Sequence, residues 1–291
     1  MDAGGIYNGE FSVKIAMVQV ASPVTESMSA RRERVGQMLA DTRAADLVVL
    51  PELWAPGYFS FDAYPALAEP LDGETVTAGQ EWARDLKCFL HLGTVLERSA
   101  DGRMHNTAVL IDPSGVVIHA YRKVHVFGYE SREAELLTPG TSVDVVDTAL
   151  GQIGSTTCYD LRFPELWRLL IDAGAKTVVT PAAWPAARVE HWRLLTTCRA
   201  VEEQVVLIAC NAVGVQAGDV ELAGHSRVVD PWGEVLAEAG TDESVTLVDV
   251  DLSIVDRVRS EFPVLLDRRI GLPATERGAG KHFPETNKVG I

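Results

Sequence analysis

The stretch Gly154-Ser155-Thr156-Thr157-Cys158-Tyr159-Asp160-Leu161-Arg162-Phe163-Pro164-Glu165 sets a thiol between a strand and a helix. Upstream, Gln152 to Thr157 is short and carries β-branched residues at Ile153, Thr156 and Thr157, which predicts a strand. Downstream, Pro164 and Glu165 suit a first helical turn. Leu166, Leu169 and Leu170 recur at helical spacing, and Gly174 ends the run. Thr177-Val178-Val179-Thr180 is a second buried strand. The stretch reads as β-turn-α-β with a cysteine in the turn. Such a turn puts a side chain at the carboxyl end of a strand, where open α/β sheets form their ligand crevice. It would also aim the next helix's free N–H groups and positive end at the sulfur, favouring the thiolate. A free cysteine is also commonly a small core hydrophobe. Residues elsewhere in the chain have to decide between packing and chemistry.

Working outward, residues 1–12 are polar and Gly-rich and read as a loose arm. Val13 to Val20 predicts a strand, Ser29 to Arg43 a helix with Val35, Met38 and Leu39 on one face, and Leu47 to Leu50 an apolar strand ended by Pro51-Glu52. A helix over about Val76 to Lys87 leads into a strand from Phe89 to Leu96. This β-α-β-α-β order implies a parallel sheet with helices on it. Asn106 to Ile111, the turn Asp112-Pro113-Ser114-Gly115 and Val116 to Arg122 then form a hairpin, followed by a polar loop that ends at Pro139-Gly140.

After the cysteine unit come a helix over about Glu190 to Glu203, a strand from Val205 to Asn211, and a second hairpin. That hairpin runs from His225 to Val229 and from Glu234 to Glu238 around Asp230-Pro231-Trp232-Gly233. Val245 to Val250 is a further strand, Leu252 to Phe262 a closing helix, and residues 270–291 an extended tail. Two halves thus repeat one plan, each a sheet with helices on one face and a second apolar face to cover. The expectation is an α/β fold: one domain, residues 13–269, built as a four-layer α-β-β-α sandwich of two mixed sheets.

Composition narrows the function. The 291 residues, 47% apolar and 23% charged, are those of an ordinary globular protein. A net charge of −15 argues against nucleic acid or an anionic membrane as partner. No apolar run approaches the roughly 20 residues of a spanning helix, and Met1 to Phe11 shows no signal-peptide pattern. Cys88, Cys158, Cys198 and Cys210 are widely spaced with no C-x-x-C pair, which suits reduced thiols in the cytoplasm. No set of histidines and cysteines is read as a metal site, and no cofactor is expected.

Glu52 ends the apolar strand of the first half as Cys158 ends that of the second, and Lys123 follows the strand Val116 to Arg122. Separately, Glu52 reads as a wet strand end and Arg122-Lys123 as a surface basic pair. Together the three supply a thiol to attack, a carboxylate to move protons and an ammonium to stabilise an oxyanion.

Leu50-Pro51-Glu52, Tyr121-Arg122-Lys123-Val124-His125 and Cys158 to Glu165 resemble the three signatures of the nitrilase, or carbon–nitrogen hydrolase, superfamily. The likeness continues through Gly224 to Glu234 and Phe262-Pro263-Val264, covering about Val13 to Arg269, and is strongest to the amidase branch that includes ω-amidases. The resemblance implies the α-β-β-α sandwich and a catalytic triad of Glu52, Lys123 and Cys158, with the backbone N–H of Tyr159 in the oxyanion hole. It implies a second glutamate before Pro139, by spacing Glu133, with Glu130 the alternative. Arg162 matches a position that binds substrate carboxylates in some relatives; its other reading is an ion pair with Asp160 or Glu165. Trp184 either lines the pocket or fills core. Two departures bear on the substrate: the loop Phe127-Gly128-Tyr129 is shorter than in ω-amidases, and Pro181-Ala182-Ala183-Trp184-Pro185 carries alanine where relatives often have asparagine.

The implied reaction is hydrolysis of a small-molecule amide through a cysteine thioester. An N-carbamoyl-compound hydrolase or nitrilase is the alternative within the superfamily, and a catalytically idle scaffold the alternative outside it. A homodimer or higher homo-oligomer is implied, paired through the helix after Cys158 and the helix Glu190 to Glu203. Trp167, Trp192 and several leucines there exceed what one sheet face needs.

Overall fold

A computed structural model describes residues 12–270. The expected arm therefore falls outside the described residues except for Ser12, and the expected tail except for Ile270. The first half runs β1 (Ser12–Gln19), α1 (Met28–Met38), β2 (Leu47–Val49), α2 (Tyr64–Leu67), α3 (Glu74–Leu86), β3 (Phe89–Arg98), β4 (Met104–Ile111), β5 (Val117–Arg122) and α4 (Glu133–Leu136). The second runs β6 (Val145–Thr148), β7 (Gly151–Ser155), α5 (Pro164–Asp172), β8 (Thr177–Ala182), α6 (Val189–Glu203), β9 (Val206–Asn211), the ribbon β10 (Val213–Val215) and β11 (Glu221–Ala223), β12 (Arg227–Val229) and β13 (Val235–Glu238). β14 (Ser244–Asp251) and α7 (Ile254–Glu261) close the described chain.

The two halves do repeat. In one sheet β1, β2 and β3 are parallel neighbours, with β4 and β5 antiparallel beyond them. In the other, β7, β8 and β9 are parallel, with β12 and β13 antiparallel beyond. Each sheet gains one antiparallel outer strand, β14 on β1 and β6 on β7. The helices α1 and α3 connect the parallel strands of the first half, as α5 and α6 do in the second.

Side-chain alternation explains the four layers, because each central strand is apolar on both faces. Ile15, Met17, Leu47 and Val49 meet Val179, Val206, Ile208 and Cys210 in the layer between the sheets. Their neighbours Ala16, Val18, Val48 and Leu50 pack outward with Val35, Val76 and Ala83 of α1 and α3. Val178, Leu207 and Ala209 do the same with Leu166, Leu170 and Ala200 of α5 and α6.

Several expected boundaries moved. The first helix is capped by Ser27, which accepts from the Ala30 N–H, and gives way after Met38 to a 3-10 turn at Leu39–Thr42. Of the strand expected from His225, only Arg227–Val229 pairs. Neither β6 nor the β10–β11 ribbon was expected, being short or only half-buried. Trp167 and Trp192 are fully buried, so they are core and not the surface surplus the sequence suggested.

Polar side chains also meet between the sheets, where His91 Nε2 of β3 lies 3.1 Å from Ser155 Oγ of β7, itself 3.4 Å from His119 Nδ1 of β5. Burial, and secondarily His119, push the His91 imidazole down to about 3. Its folded pKa thus lies below the unfolded value of about 6.5. The neutral ring contributes stability that is fully present above pH ~6.5 and is lost as pH falls through the window toward 3. Thermal midpoints measured from pH 6.5 to 4 should fall, with this group responsible for up to about 1.4 kcal/mol per pH unit. His91→Gln should flatten that slope; an equally steep slope in the variant would place the acid sensitivity elsewhere.

Candidate active site

The three strand-end residues and Glu133 converge in one buried cluster. Glu52 follows β2, where the chain leaves the sheet with Leu53 at φ +42°. Gly93 of β3 lets Pro51 approach: at φ +68°, an added Cβ would sit 1.9 Å from the Pro51 carbonyl oxygen. Gly93→Ala should therefore cost about 2–4 kcal/mol and lower the thermal midpoint by several degrees. An unshifted melt would show that the Pro51-Glu52 turn gives way freely. Lys123 is the residue after β5, and its backbone N–H donates to the Asn106 carbonyl of β4 at 2.8 Å. Its own carbonyl accepts from the Gly140 N–H at 2.8 Å, which ties the end of the following loop back to it.

Lys123 Nζ donates to Glu52 Oε1 at 2.8 Å and to Glu133 Oε1 and Oε2 at 2.9 and 3.0 Å. All three side chains are shut off from solvent. The Ala183 N–H donates to Glu52 Oε2 at 2.9 Å, while the Tyr58 hydroxyl and the Phe127 N–H donate to Glu133 Oε2 at 2.8 and 2.6 Å. Of the two candidates in that loop, Glu133 meets the lysine. Glu130 is exposed, at φ +48°. Sequence reasoning missed Asn106, whose Nδ2 donates to Glu52 Oε1 at 2.7 Å and Glu133 Oε1 at 3.1 Å. Its one sequence signal was a polar amide in an apolar strand.

Cys158 occupies the turn after β7 at φ +46°, a left-handed conformation that costs a non-glycine residue about 1–3 kcal/mol. Asp160 holds the turn. Its carboxylate accepts from the Thr157 N–H at 2.9 Å, the Tyr121 hydroxyl at 2.8 Å and the His125 N–H at 3.0 Å, and His125 Nδ1 lies 2.8 Å away. The cysteine turn and the Tyr121–His125 segment are thereby fastened to one buried carboxylate.

The helix α5 begins at Pro164 as expected, but a separate turn stands between it and the thiol, a 3-10 turn over Cys158–Arg162. Burial, and then the Glu52 carboxylate, push the Cys158 thiol well above its usual range, against the opposing pull of Lys123 and the Ala183 N–H. Burial also raises Glu52, with Lys123 opposing and Glu133 reinforcing. For Lys123, burial works downward, but Glu133, Glu52 and Cys158 together hold the ammonium above its ordinary value. Burial and the neighbouring charges thus favour a neutral thiol and a charged ammonium beside a carboxylate whose proton affinity is raised. Such a carboxylate suits proton transfer near neutral pH.

Cys158 opens onto a cleft lined by Tyr58, Phe127, Tyr159, Arg162, Trp184 and Arg188 among others. Arg162 pairs with neither Asp160 nor Glu165. Its guanidinium lies over the Trp184 ring, 4.7 Å from the centroid, and its Nη2 is 3.4 Å from His191 Nδ1. Trp184 serves both of its readings: it lines the cleft, and it packs 5.6 Å from Trp192 with its Nε1–H donating to the Arg188 carbonyl. Sequence reasoning missed Arg188, whose guanidinium lies 5.9 Å from the Tyr129 ring. Among the described residues, neither arginine has a carboxylate partner.

Residues 14–260 match the carbon–nitrogen hydrolase family, and the chain belongs to that family, whose members break non-peptide C–N bonds. A 2-oxoglutaramate amidase of Paenarthrobacter nicotinovorans is 40% identical over 90% of this chain and 91% of its own. The human omega-amidase NIT2 is 33% identical over 91% and 98%. The fold is that of XC1258 from Xanthomonas campestris, a CN-hydrolase superfamily protein with an arsenic adduct in its active site. The two chains superpose with a TM-score of 0.83 at 28% identity over 90% of this chain and 99% of that one.

Proposed function

We propose that this enzyme hydrolyses small amides whose far end carries a carboxylate, releasing ammonia through a thioester on Cys158. The observation that carries the reading is one cleft that joins two chemistries. The thiol, with Glu52 and Lys123 beside it, opens onto this cleft, and Arg162 and Arg188 line it as cations without carboxylate partners among the described residues. Guanidinium groups match a carboxylate's geometry. The amidase relatives named above support the reading.

In the proposed reaction Glu52 takes the thiol proton as sulfur attacks the amide carbon. The oxyanion is held by Lys123 and the Tyr159 N–H, with Glu133 fixing the orientation of Lys123. Glu52 passes the proton to the departing nitrogen, and ammonia leaves. Water then adds to the thioester, Glu52 accepting its proton, and collapse returns the thiol and frees the acid.

The test is ammonia release from a panel: monoamides of dicarboxylic acids, neutral amides of equal length, nitriles and N-carbamoyl amino acids. The monoamides should give the highest kcat/KM. Preference for neutral amides would remove the arginines from substrate recognition, and preference for nitriles or carbamoyl compounds would change the reaction assigned.

Two further expectations stay with this reading. A homodimer paired over α5 and α6 would cover Leu169 and Leu194, which are 56% and 67% exposed. A cytoplasmic site of action fits the unpaired cysteines. Among the described residues, no helix is long and apolar enough to cross a membrane.

A further inference from the structure

The cluster has two carboxylates and one ammonium, so Lys123 can neutralise only half of the acidic charge it touches. The second donor shared by Glu52 and Glu133 is the Asn106 amide, buried in β4 with Nδ2 at 2.7 and 3.1 Å from the two Oε1 atoms. Its Oδ1 has no hydrogen-bond partner among the described residues, so the amide is oriented by its N–H groups alone. The reversed amide would set an oxygen against two carboxylates. The Asn106 backbone carbonyl also accepts from the Lys123 N–H, so one residue touches all three charged groups.

We propose that Asn106 is a positioning residue that divides its two amide protons between Glu52 and Glu133, fixing the two carboxylates around Lys123 and holding Glu52 ready to take the thiol proton. The inference rests on the proposed role of Glu52. A neutral donor suits that role better than a second cation would. A further positive charge in this sealed site would stabilise the Glu52 carboxylate so strongly that it could no longer accept a proton near neutral pH. An apolar side chain would leave two like charges sharing a single counter-ion, and one carboxylate would take up a proton and stop acting as base. The other groups facing this pair are Tyr58 and Tyr64 from the segment after β2, Cys158 from the turn after β7, and the Phe127 and Ala183 N–H groups. None of these bridges Glu52 to Glu133 as Asn106 does.

The test compares the parent with Asn106→Leu and Asn106→Asp, each checked by its melt. In Asn106→Leu, kcat should fall about tenfold to a hundredfold, the size of a hydrogen bond to a charged group. KM should stay within about threefold, since Asn106 does not line the cleft. The acid limb of kcat/KM, which reports Glu52 in the free enzyme, should move up by about one pH unit. Asn106→Asp, nearly the same shape, adds a third acid and should move that limb at least as far. The pH dependence of Cys158 alkylation by iodoacetamide, followed by mass, reads the same proton transfer without turnover and should shift in parallel. A fall in kcat with both pH profiles unmoved would make Asn106 merely structural, and unchanged kcat would remove it altogether. Glu52→Gln run beside them separates the two ideas. If it keeps parental activity, the underlying reading fails; if it is inactive while the Asn106 profiles stay put, only this inference fails.

Discussion

Replacing Cys158 with alanine should abolish turnover while moving the thermal midpoint by no more than a few degrees. The thiol contributes one sulfur atom to packing, and the residue sits in a turn whose hydrogen bonds come from Asp160 and the backbone, not from sulfur. The left-handed φ of +46° is no worse for alanine than for cysteine. Loss of a covalent nucleophile removes the reaction path outright. Cys88, Cys198 and Cys210 as alanines should retain activity, which makes the contrast specific. Ammonia release on the best substrate of the panel, together with a melting curve, settles the matter. Residual turnover near the parental rate would remove Cys158 as nucleophile. A shared acyl-enzyme gives a second check: with hydroxylamine competing against water, an amide and an ester of one acyl group should give the same ratio of hydroxamate to acid.

Lys123→Met should act differently, lowering both rate and stability. Loss of an oxyanion donor costs at least about a hundredfold in turnover. Removing the cation that pairs with both Glu52 and Glu133, which are shut off from solvent, also leaves buried charge uncompensated, a loss of about 3–5 kcal/mol. The melt should thus fall well below that of Cys158→Ala. Glu52→Gln keeps the Lys123–Glu133 pair, so it should lose a similar factor in rate with a smaller loss of stability. Near-normal rates in either variant would break the proposed triad. A Lys123→Met melt equal to the parent's would mean that both carboxylates take up protons at little cost.

The contrast between those variants follows from what could and could not be read along the chain. The order of strands and helices, with helices on one face of each half's sheet and a second apolar face to cover, was enough to point to helix, sheet, sheet and helix in that order. The positions of Glu52, Lys123 and Cys158 at strand ends were legible too, because strand ends of a parallel sheet gather on one edge. Glu133 could be named only through the likeness to a family, since an acid in a polar loop looks like any other.

The remainder was decided in three dimensions. Asn106 lies far along the chain from Glu52 and reads as an ordinary strand residue until β4 packs beside β3 and β5. Asp160 looked like a possible partner for Arg162, but the fold gives it to Thr157, Tyr121 and His125, leaving Arg162 over Trp184. Trp167 and Trp192 looked like surface surplus because helical periodicity gives a direction but not how deep the neighbouring helix and sheet reach. The protonation of the site was likewise beyond the sequence. Local order suggested a helix end favouring the thiolate, whereas burial and the Glu52 carboxylate, brought from a strand in the other sheet, push the thiol's pKa up. By itself the sequence determined the layers, the edge of the sheets where the chemistry sits and the residue types brought there, because these follow from periodicity and strand direction. Hydrogen-bond partners, burial and charge coupling depend on distances between segments remote in the chain, and only the tertiary structure set those.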